Sequence, residues 1–507
     1  MSISSALSTT KQIFSNTGTQ TSVTSTNIAN TQNANYAKRT AVLASSGNGA
    51  LIATISREQN EPLLRQSITS TSLASGQSTL AKGLEEIRSL LGGNGYETSM
   101  SKKMTTLLNN IGAYAAKPSE STLAATVVSS AQDVVNTLNT TSNEVQAIRS
   151  RADAEIKTQV DKLNGLLSEF DTANTAVVQA AALGKQDNDA LDKRDMLVKQ
   201  MSEIVGVSST IRTGNDMALY TTDGTTLFET IPRKVGFVPT TTYTADIEGQ
   251  PITIDGVELK AGVGGDTNAS GSLQALRQIR DGVAPQYQAQ LDEMARGLIK
   301  SFAETLPSDP KGTFGAVAGL FTHKDASGVE QFNVPPGIVK VDINGDGIPD
   351  VDKPGFTNLG ARIMVNSALV PPTGVPTLIR DGGMNGPGYK WNTNNDSSYS
   401  ALLDRYVVMM QAKQGFDEIS GGTQKDLMSY ASDSTGWLES LRSSSAAATE
   451  VKSAMQARSA EALSSETGVS LDEELSLLLD IEQSYKAATK LVSTIDEMMS
   501  ALLNAAG

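Results

Sequence analysis

The residues best spaced to do chemistry in this 507-residue chain are the oxygen donors of Asp342-Ile343-Asn344-Gly345-Asp346-Gly347-Ile348-Pro349-Asp350. Asp342, Asn344, Asp346 and Asp350 fall at loop positions 1, 3, 5 and 9, with glycine at 6, the pattern an EF-hand loop offers calcium. At position 12 Lys353 replaces the bidentate carboxylate, although Asp352 stands beside it. The same residues also read as an Asx-rich turn between strands, because Asn-Gly and Asp-Gly form turns without any metal.

Other chemistry is scarce. The chain has no cysteine and one histidine, which removes disulfides, thiolate sites and any serine–histidine pair not built on His323. His323 has no second histidine to share a metal and reads as a solvated loop residue. Ser8-Thr9-Thr10-Lys11 matches the S-x-x-K of serine acyl enzymes, but no partner motif follows. The chain therefore reads as non-enzymatic, with no cofactor beyond the calcium that the acidic loop leaves open. With 41 basic and 55 acidic side chains the net charge is −14, so repulsion argues against nucleic acid or an anionic membrane as partner. No run approaches the roughly 18 apolar residues of a membrane span, and no ordinary secretory signal opens the chain. On those grounds alone the expected location is cytoplasmic.

The elements that would position such residues are mostly helical. From 468 to 503 the chain carries apolar side chains in alternating steps of three and four: Leu471, Leu475, Leu478, Ile481, Tyr485, Ala488, Val492, Ile495, Met499 and Leu502. Ser470 and Glu473 form a capping box, with Asp472, Glu473 and Glu474 at the positive end of the helix dipole. A weaker stripe opens the chain at Ile3, Leu7, Thr10, Phe14, Thr17, Thr21, Thr24 and Ile28. The first 57 residues contain no acid, whereas the closing helix is acidic, so the two ends match electrostatically. Burying so threonine-rich a seam does little against the entropy of ordering both arms. The arms are therefore expected to order when neighbouring copies cover their remaining faces.

Between the ends, helices are expected from Pro62 to Gln186, one of them longer than 50 residues after Pro118, and another runs from Asp187 or Asn188 to Gly206. The period changes to two over 207–260, with turns at Gly214-Asn215, Asp223-Gly224 and Asp255-Gly256. The Asn-dense stretch 29–43 reads as a loop and Ala50–Ser56 as a short strand. The fold class is thus mainly α with β-rich insertions: a discontinuous multidomain rod whose N- and C-terminal helices pair as a coiled-coil inner domain. The expected divisions are 1–60 with 467–507 as that coiled coil; 61–206, 271–307 and 396–466 as a long-helix middle domain; 207–270 as a β-rich insertion; and 308–395 as a small, Gly/Pro-rich outer module.

Thr26-Asn27-Ile28-Ala29-Asn30 followed by Tyr36-Ala37-Lys38-Arg39 resembles the signature of the flagellar rod and hook axial proteins, with Asn35 where glycine is usual. Asparagine can adopt the left-handed turn that such a position needs. Gly468 to Glu474, Glu482-Gln483-Ser484-Tyr485, Asp192 to Val207 and Gly271 to Asp281 narrow the resemblance to the hook-associated proteins of the hook–filament junction. The signature residues here are Asn27, Ile28, Asn30, Tyr36, Arg39, Asp472, Glu473 and Glu474. The resemblance implies an extracellular, flagellar location reached by type III export without a cleaved signal, which replaces the cytoplasmic expectation. It also implies assembly with copies of itself in a ring, contacts with hook protein and the next hook-associated junction protein, and a cytoplasmic export chaperone. The assembly seam would be Ile3, Leu7, Phe14 and Ile28 against Leu471, Leu475, Leu478, Ile481, Tyr485, Val492, Ile495, Met499 and Leu502. Two alternatives remain: hook protein or another axial component, and, from a different class, a calcium-binding helical surface adhesin. Calorimetry with calcium on a fragment from Phe332 to Pro371 separates the loop readings: binding heat at millimolar metal marks a calcium loop, and its absence leaves the turn.

Overall fold

The structure, a computed structural model, describes residues 3–46, 49–92, 95–312, 315–341, 351–354, 356–416 and 424–506. In chain order the helices are α1 (Ile3–Ala29), α2 (Glu61–Ser89), α3 (Met100–Ala116), α4 (Ser121–Ala182), α5 (Asn188–Ile204), α6 (Ser272–Arg277), α7 (Ala284–Ser301), α8 (Leu359–Arg362), α9 (Leu378–Asp381), α10 (Ala401–Gln411), α11 (Leu427–Thr467) and α12 (Leu471–Ala506). The strands pair in small antiparallel sheets. β1 (Arg39–Ser46) and β2 (Gly49–Arg57) form a ribbon; β3 (Val207–Ile211), β4 (Met217–Thr221) and β5 (Thr226–Phe228) form one sheet; β6 (Val235–Gly236), β7 (Thr253–Ile254) and β8 (Val257–Glu258) form another. Between α7 and α10, β9 (Phe321–Lys324) lies between β10 (Glu330–Gln331) and β13 (Ile363–Val365), and β11 (Ile338–Val341) pairs β12 (Val351–Pro354). A last pair, β14 (Gln414–Gly415) and β15 (Gln424–Lys425), precedes α11.

The fold class matches the expectation, and α4 is its strut. Its 62 residues span roughly 93 Å at 1.5 Å per residue, long enough to serve two hydrophobic cores. Val127, Val134, Leu138 and Val145 of its first half join α2, α3, α7, α10, α11 and, from the chain between α7 and α10, Leu320, Phe321, Ile363 and Ile379. Ile156, Leu163, Leu167 and Phe170 of its second half join α5, α6 and the sheets of β3–β5 and β6–β8. Local chemistry sets the boundaries. Asn60 caps α2 by accepting from Leu63 N at 3.1 Å, with Pro62 in the first turn where no N–H is needed. Asp187 caps α5 through Ala190 N at 3.0 Å. A π-helical turn over Gln278–Val283 joins α6 to α7.

Three expectations need correction. The Asn-dense stretch ends in a strand, β1, because residues from Arg39 onward find an antiparallel partner in β2, with Arg39 opposite Arg57 and Ala41 opposite Ile55. His323 is not a solvated loop residue: it sits buried on the central strand β9, edge-on to Phe356 at 4.8 Å, and burial pushes its pKa down. Asn35 does not adopt the left-handed conformation; instead Asn33 Oδ1 accepts from Asn35 N at 3.1 Å and makes the turn. Asp342, Asn344, Asp346 and Asp350 lie outside the described residues.

Buried carboxylates fasten the irregular modules to the helices. Glu304 accepts from Gly383 N, Met384 N and Asn385 N at 2.8, 3.0 and 2.9 Å. Asp153 of α4 accepts from the fully buried Arg280 at 2.6 Å, from Tyr243 Oη at 2.7 Å and from Thr240 N at 2.7 Å, tying the 240–250 loop across the π turn. Asp292 of α7 accepts from Asn358 N and Gly360 N at 2.8 Å each and from Gln288 Nε2 at 2.9 Å, holding α8. Burial outweighs those donors and pushes Asp292 from 3.8 up to about 7. Between about pH 4 and pH 7 the folded chain keeps a proton that the unfolded chain has lost, so this group makes stability fall as pH rises through that window. Asp292→Asn is expected to flatten that slope, read as the urea midpoint against pH; an unchanged slope contradicts the assignment.

Candidate assembly face and its joint

Nearly all the sequence-marked residues meet at two places, a helix pair and the joint that mounts it. The pair is α1 and α12, which run antiparallel: Phe14 meets Tyr485 edge-on at 5.1 Å, and the end of α1 lies beside the start of α12. Both helices bury every seventh residue, Thr10, Thr17 and Thr24 on α1 and Glu474, Ile481 and Ala488 on α12, the repeat of a coiled coil. Threonine serves because its hydroxyl is satisfied within the helix: Thr10 donates to Ala6 O and Thr17 to Ile13 O, each at 2.9 Å, which leaves the methyl for the seam.

The contact is therefore offset from the largest apolar side chains. Of the expected seam, Ile481 is buried at 5% exposure, and Ile3, Phe14, Ile28, Leu478 and Ile495 are half-buried. Leu7, Leu471, Leu475, Tyr485, Val492, Met499 and Leu502 remain 37–55% exposed. Leu7 and Phe14 on one helix, and Leu471, Tyr485 and Val492 on the other, form a ridge beside the threonine line rather than within it. The Phe14–Tyr485 register also carries α12 past the start of α1 by about ten residues, roughly 15 Å, and that overhang bears exposed Met498, Met499, Leu502 and Leu503.

The joint explains the signature. Asn27 is buried, and its side-chain amide spans one residue of β1: Nδ2 donates to Arg39 O at 2.9 Å while Oδ1 accepts from Arg39 N at 3.2 Å and from Tyr36 Oη at 2.7 Å. Arg39 lies 4.8 Å over the Tyr36 ring and reaches Asp189 at 2.5 Å and Asp192 at 3.2 Å. Arg57 takes Asp192 at 2.6 Å and Asp195 at 2.7 Å. Asn30 finishes α1, donating to Thr26 O at 2.9 Å. Arg194, between the two aspartates, turns inward to Asn215 O at 2.6 Å and Asn174 Oδ1 at 3.2 Å. The Asp192-Lys193-Arg194-Asp195 segment thus faces two ways, with acids outward to the terminal arm and its arginine inward to the β3–β4 turn.

At the start of α12 only half of the capping box forms. Ser470 Oγ accepts from Glu473 N at 3.4 Å, but the Glu473 carboxylate takes Lys38 Nζ at 2.7 Å instead of reaching back. That bond raises the Lys38 pKa. Glu474 is buried 3.9 Å from the same ammonium, and Asp472 is exposed. Among the described residues, the ion pairs joining the two ends run through Lys38, because Arg39 and Arg57 are spent on α5. Sequence reasoning missed Asp189, Asp192 and Asp195 as partners of the arm; their only local signal was the acid spacing three residues apart on one helix face.

Comparison with known proteins places these features. Residues 84–309 match the family model of the flagellar hook-associated protein FlgK helical domain, and residues 462–505 match that of the flagellar basal body rod FlgEFG protein C-terminal. Flagellar hook-associated protein 1 of Salmonella typhimurium is 23% identical over 228 residues, 42% of this chain and 41% of that relative's length. The Bacillus subtilis protein of that name is 20% identical over 438 residues, 85% of this chain and 80% of the relative. In fold, the chain is similar to the flagellar hook junction protein FlgK from Burkholderia pseudomallei, with a TM-score of 0.55 and 12% identity over 78% of this chain and 99% of that one.

Because Asp192 is shared by two arginines in a largely buried joint, Asp192→Ala is expected to lower stability by roughly 2–3 kcal/mol. Asp189→Ala removes an exposed partner and should cost under about 1 kcal/mol. Urea unfolding of both variants checks the contrast, and equal losses would contradict the assigned roles.

Proposed function

We propose that the chain is a member of the flagellar hook-associated protein 1 family and a structural building block of the junction between hook and filament. The observation that carries the proposal is the ridge of Leu7, Phe14, Leu471, Tyr485 and Val492 with the overhang that bears Met498, Met499, Leu502 and Leu503, all on one helix pair and all at least partly open to water. Full burial of one large apolar side chain is worth about 1.5–3 kcal/mol, so covering the exposed halves of these residues would supply on the order of 5–10 kcal/mol per copy. Neighbouring copies in a ring provide that cover, hook protein meets the pair from below, and the next hook-associated junction protein meets it from above. The mechanism is coupled folding and assembly: the arms are loose in the exported monomer and ordered in the ring. Before export a cytoplasmic chaperone covers the α12 ridge, and the type III apparatus carries the chain out without signal cleavage.

The role asks for no catalysis and no cofactor. The second reading, hook protein or another axial component, is favoured by one observation: residues 462–505 match a rod-protein model rather than one restricted to the junction. Electron microscopy of cells lacking this chain separates the two, since intact hooks without filaments indicate the junction and missing hooks indicate the alternative.

Val492→Asp places a charge on the open ridge, where water solvates it in the monomer and a neighbour's apolar surface cannot. Monomer helicity by circular dichroism is expected to stay nearly unchanged while incorporation onto hooks is lost. Normal incorporation of this variant would refute the ridge as the contact.

A further inference from the structure

The β1–β2 ribbon carries a second surface. Its residues 40–56 include no charged side chain, yet Val42, Leu43 and Leu51 are 40–47% exposed. Two-stranded ribbons present two rows of unpaired backbone groups, which proteins ordinarily blunt with charge, proline or cover.

Here asparagines close most of those rows. Asn16 of α1 donates to Ala50 O at 2.6 Å and accepts from Ile52 N at 3.3 Å, standing in for a strand along β2. Asn188 of α5 donates to Ile55 O at 3.0 Å further along β2, and Asn27 closes β1 at Arg39. In an antiparallel pair, residues alternate between facing the partner strand and facing outward. Asn16 and Asn188 mark Ala50, Ile52 and Ile55 as outward, so the residues opposite them, Ser45, Leu43 and Ala41, are outward too. Among the described residues nothing bonds to the backbone of those three. One stretch of edge is left open.

We propose that the β1 edge from Ala41 to Ser45 is a contact between copies of this chain, taking an extended segment of a neighbouring copy as its third strand. Two observations select a second copy as the occupant. The ribbon packs on α1, the helix that carries Leu7 and Phe14 of the ridge, so a copy seated on that helix lies next to the ribbon. Copies carrying −14 each repel, and the first 57 residues, which hold no acid, are where the approach is least opposed. The proposal rests on the assembly reading above. Backbone pairing would fix the register between copies, which apolar packing on the ridge leaves loose.

Two substitutions separate the edge from the ribbon's own ladder. Leu43→Pro removes an outward N–H and leaves the ladder intact, whereas Ala44→Pro removes one that faces Leu51. Seating on isolated hooks is measured for the parent and both variants, with p-benzoylphenylalanine placed at Leu43 for photo-cross-linking in the seated state. The expected results are at least a tenfold loss of seating for Leu43→Pro with unchanged monomer circular dichroism, and a cross-linked species of twice the chain mass. Normal seating of Leu43→Pro, absence of that dimer, or an adduct solely with another axial protein overturns the edge contact. Failure of the parent itself to seat overturns the assembly reading and the edge with it.

Discussion

Packing between α1 and α12 is limited by the side chains that make it. A seam built on Thr10, Thr17 and Thr24 against Ile481 and Ala488 brings the helices close but buries little apolar area. The larger groups, Phe14 and Tyr485 among them, flank that seam and stay half in water. A stronger internal seam would have placed Leu471, Tyr485 and Val492 inside and left nothing for a neighbour. The weakness of the pair within one chain and its availability to other chains are thus the same physical fact.

The joint compensates for that weakness by aiming the pair. Asp192 receives both Arg39 and Arg57, and Asn27 locks β1 to the end of α1 through paired backbone bonds. Lys38 N also donates to Thr467 O at 2.8 Å, joining the ribbon to the end of α11 just before α12 begins. The mounting is therefore polar and specific, while the surface it presents is apolar and permissive. Behind it, α4 crosses two cores and provides a rigid base against which the arm can be held.

Much of this was legible wherever one period persisted. The helix of more than 50 residues expected after Pro118 is α4, and the stripe from Leu471 to Leu502 marked α12, because a helix writes its faces into local spacing. Which partner covers a face is not written there, and most of that stripe stays half-exposed instead of closing the seam. The threonines of the first stripe were visible but not their central place in the seam, since their role depends on hydroxyls satisfied one turn back. The joint was invisible: Arg57 and Asp192 are 135 residues apart, and no local rule pairs them. The signature Asn27, Tyr36 and Arg39 was noticed through resemblance alone; only the structure supplies its reason, one amide holding both backbone groups of Arg39.

The central claim is that α1 and α12 are ordered mainly by other subunits. Amide hydrogen exchange over residues 3–29 and 471–506, in free chain and in chain seated on hooks, tests it most directly. The account predicts weak protection in the free chain relative to α4, rising by orders of magnitude on assembly. Equal protection in both states would show that the pair is complete by itself and would contradict the account.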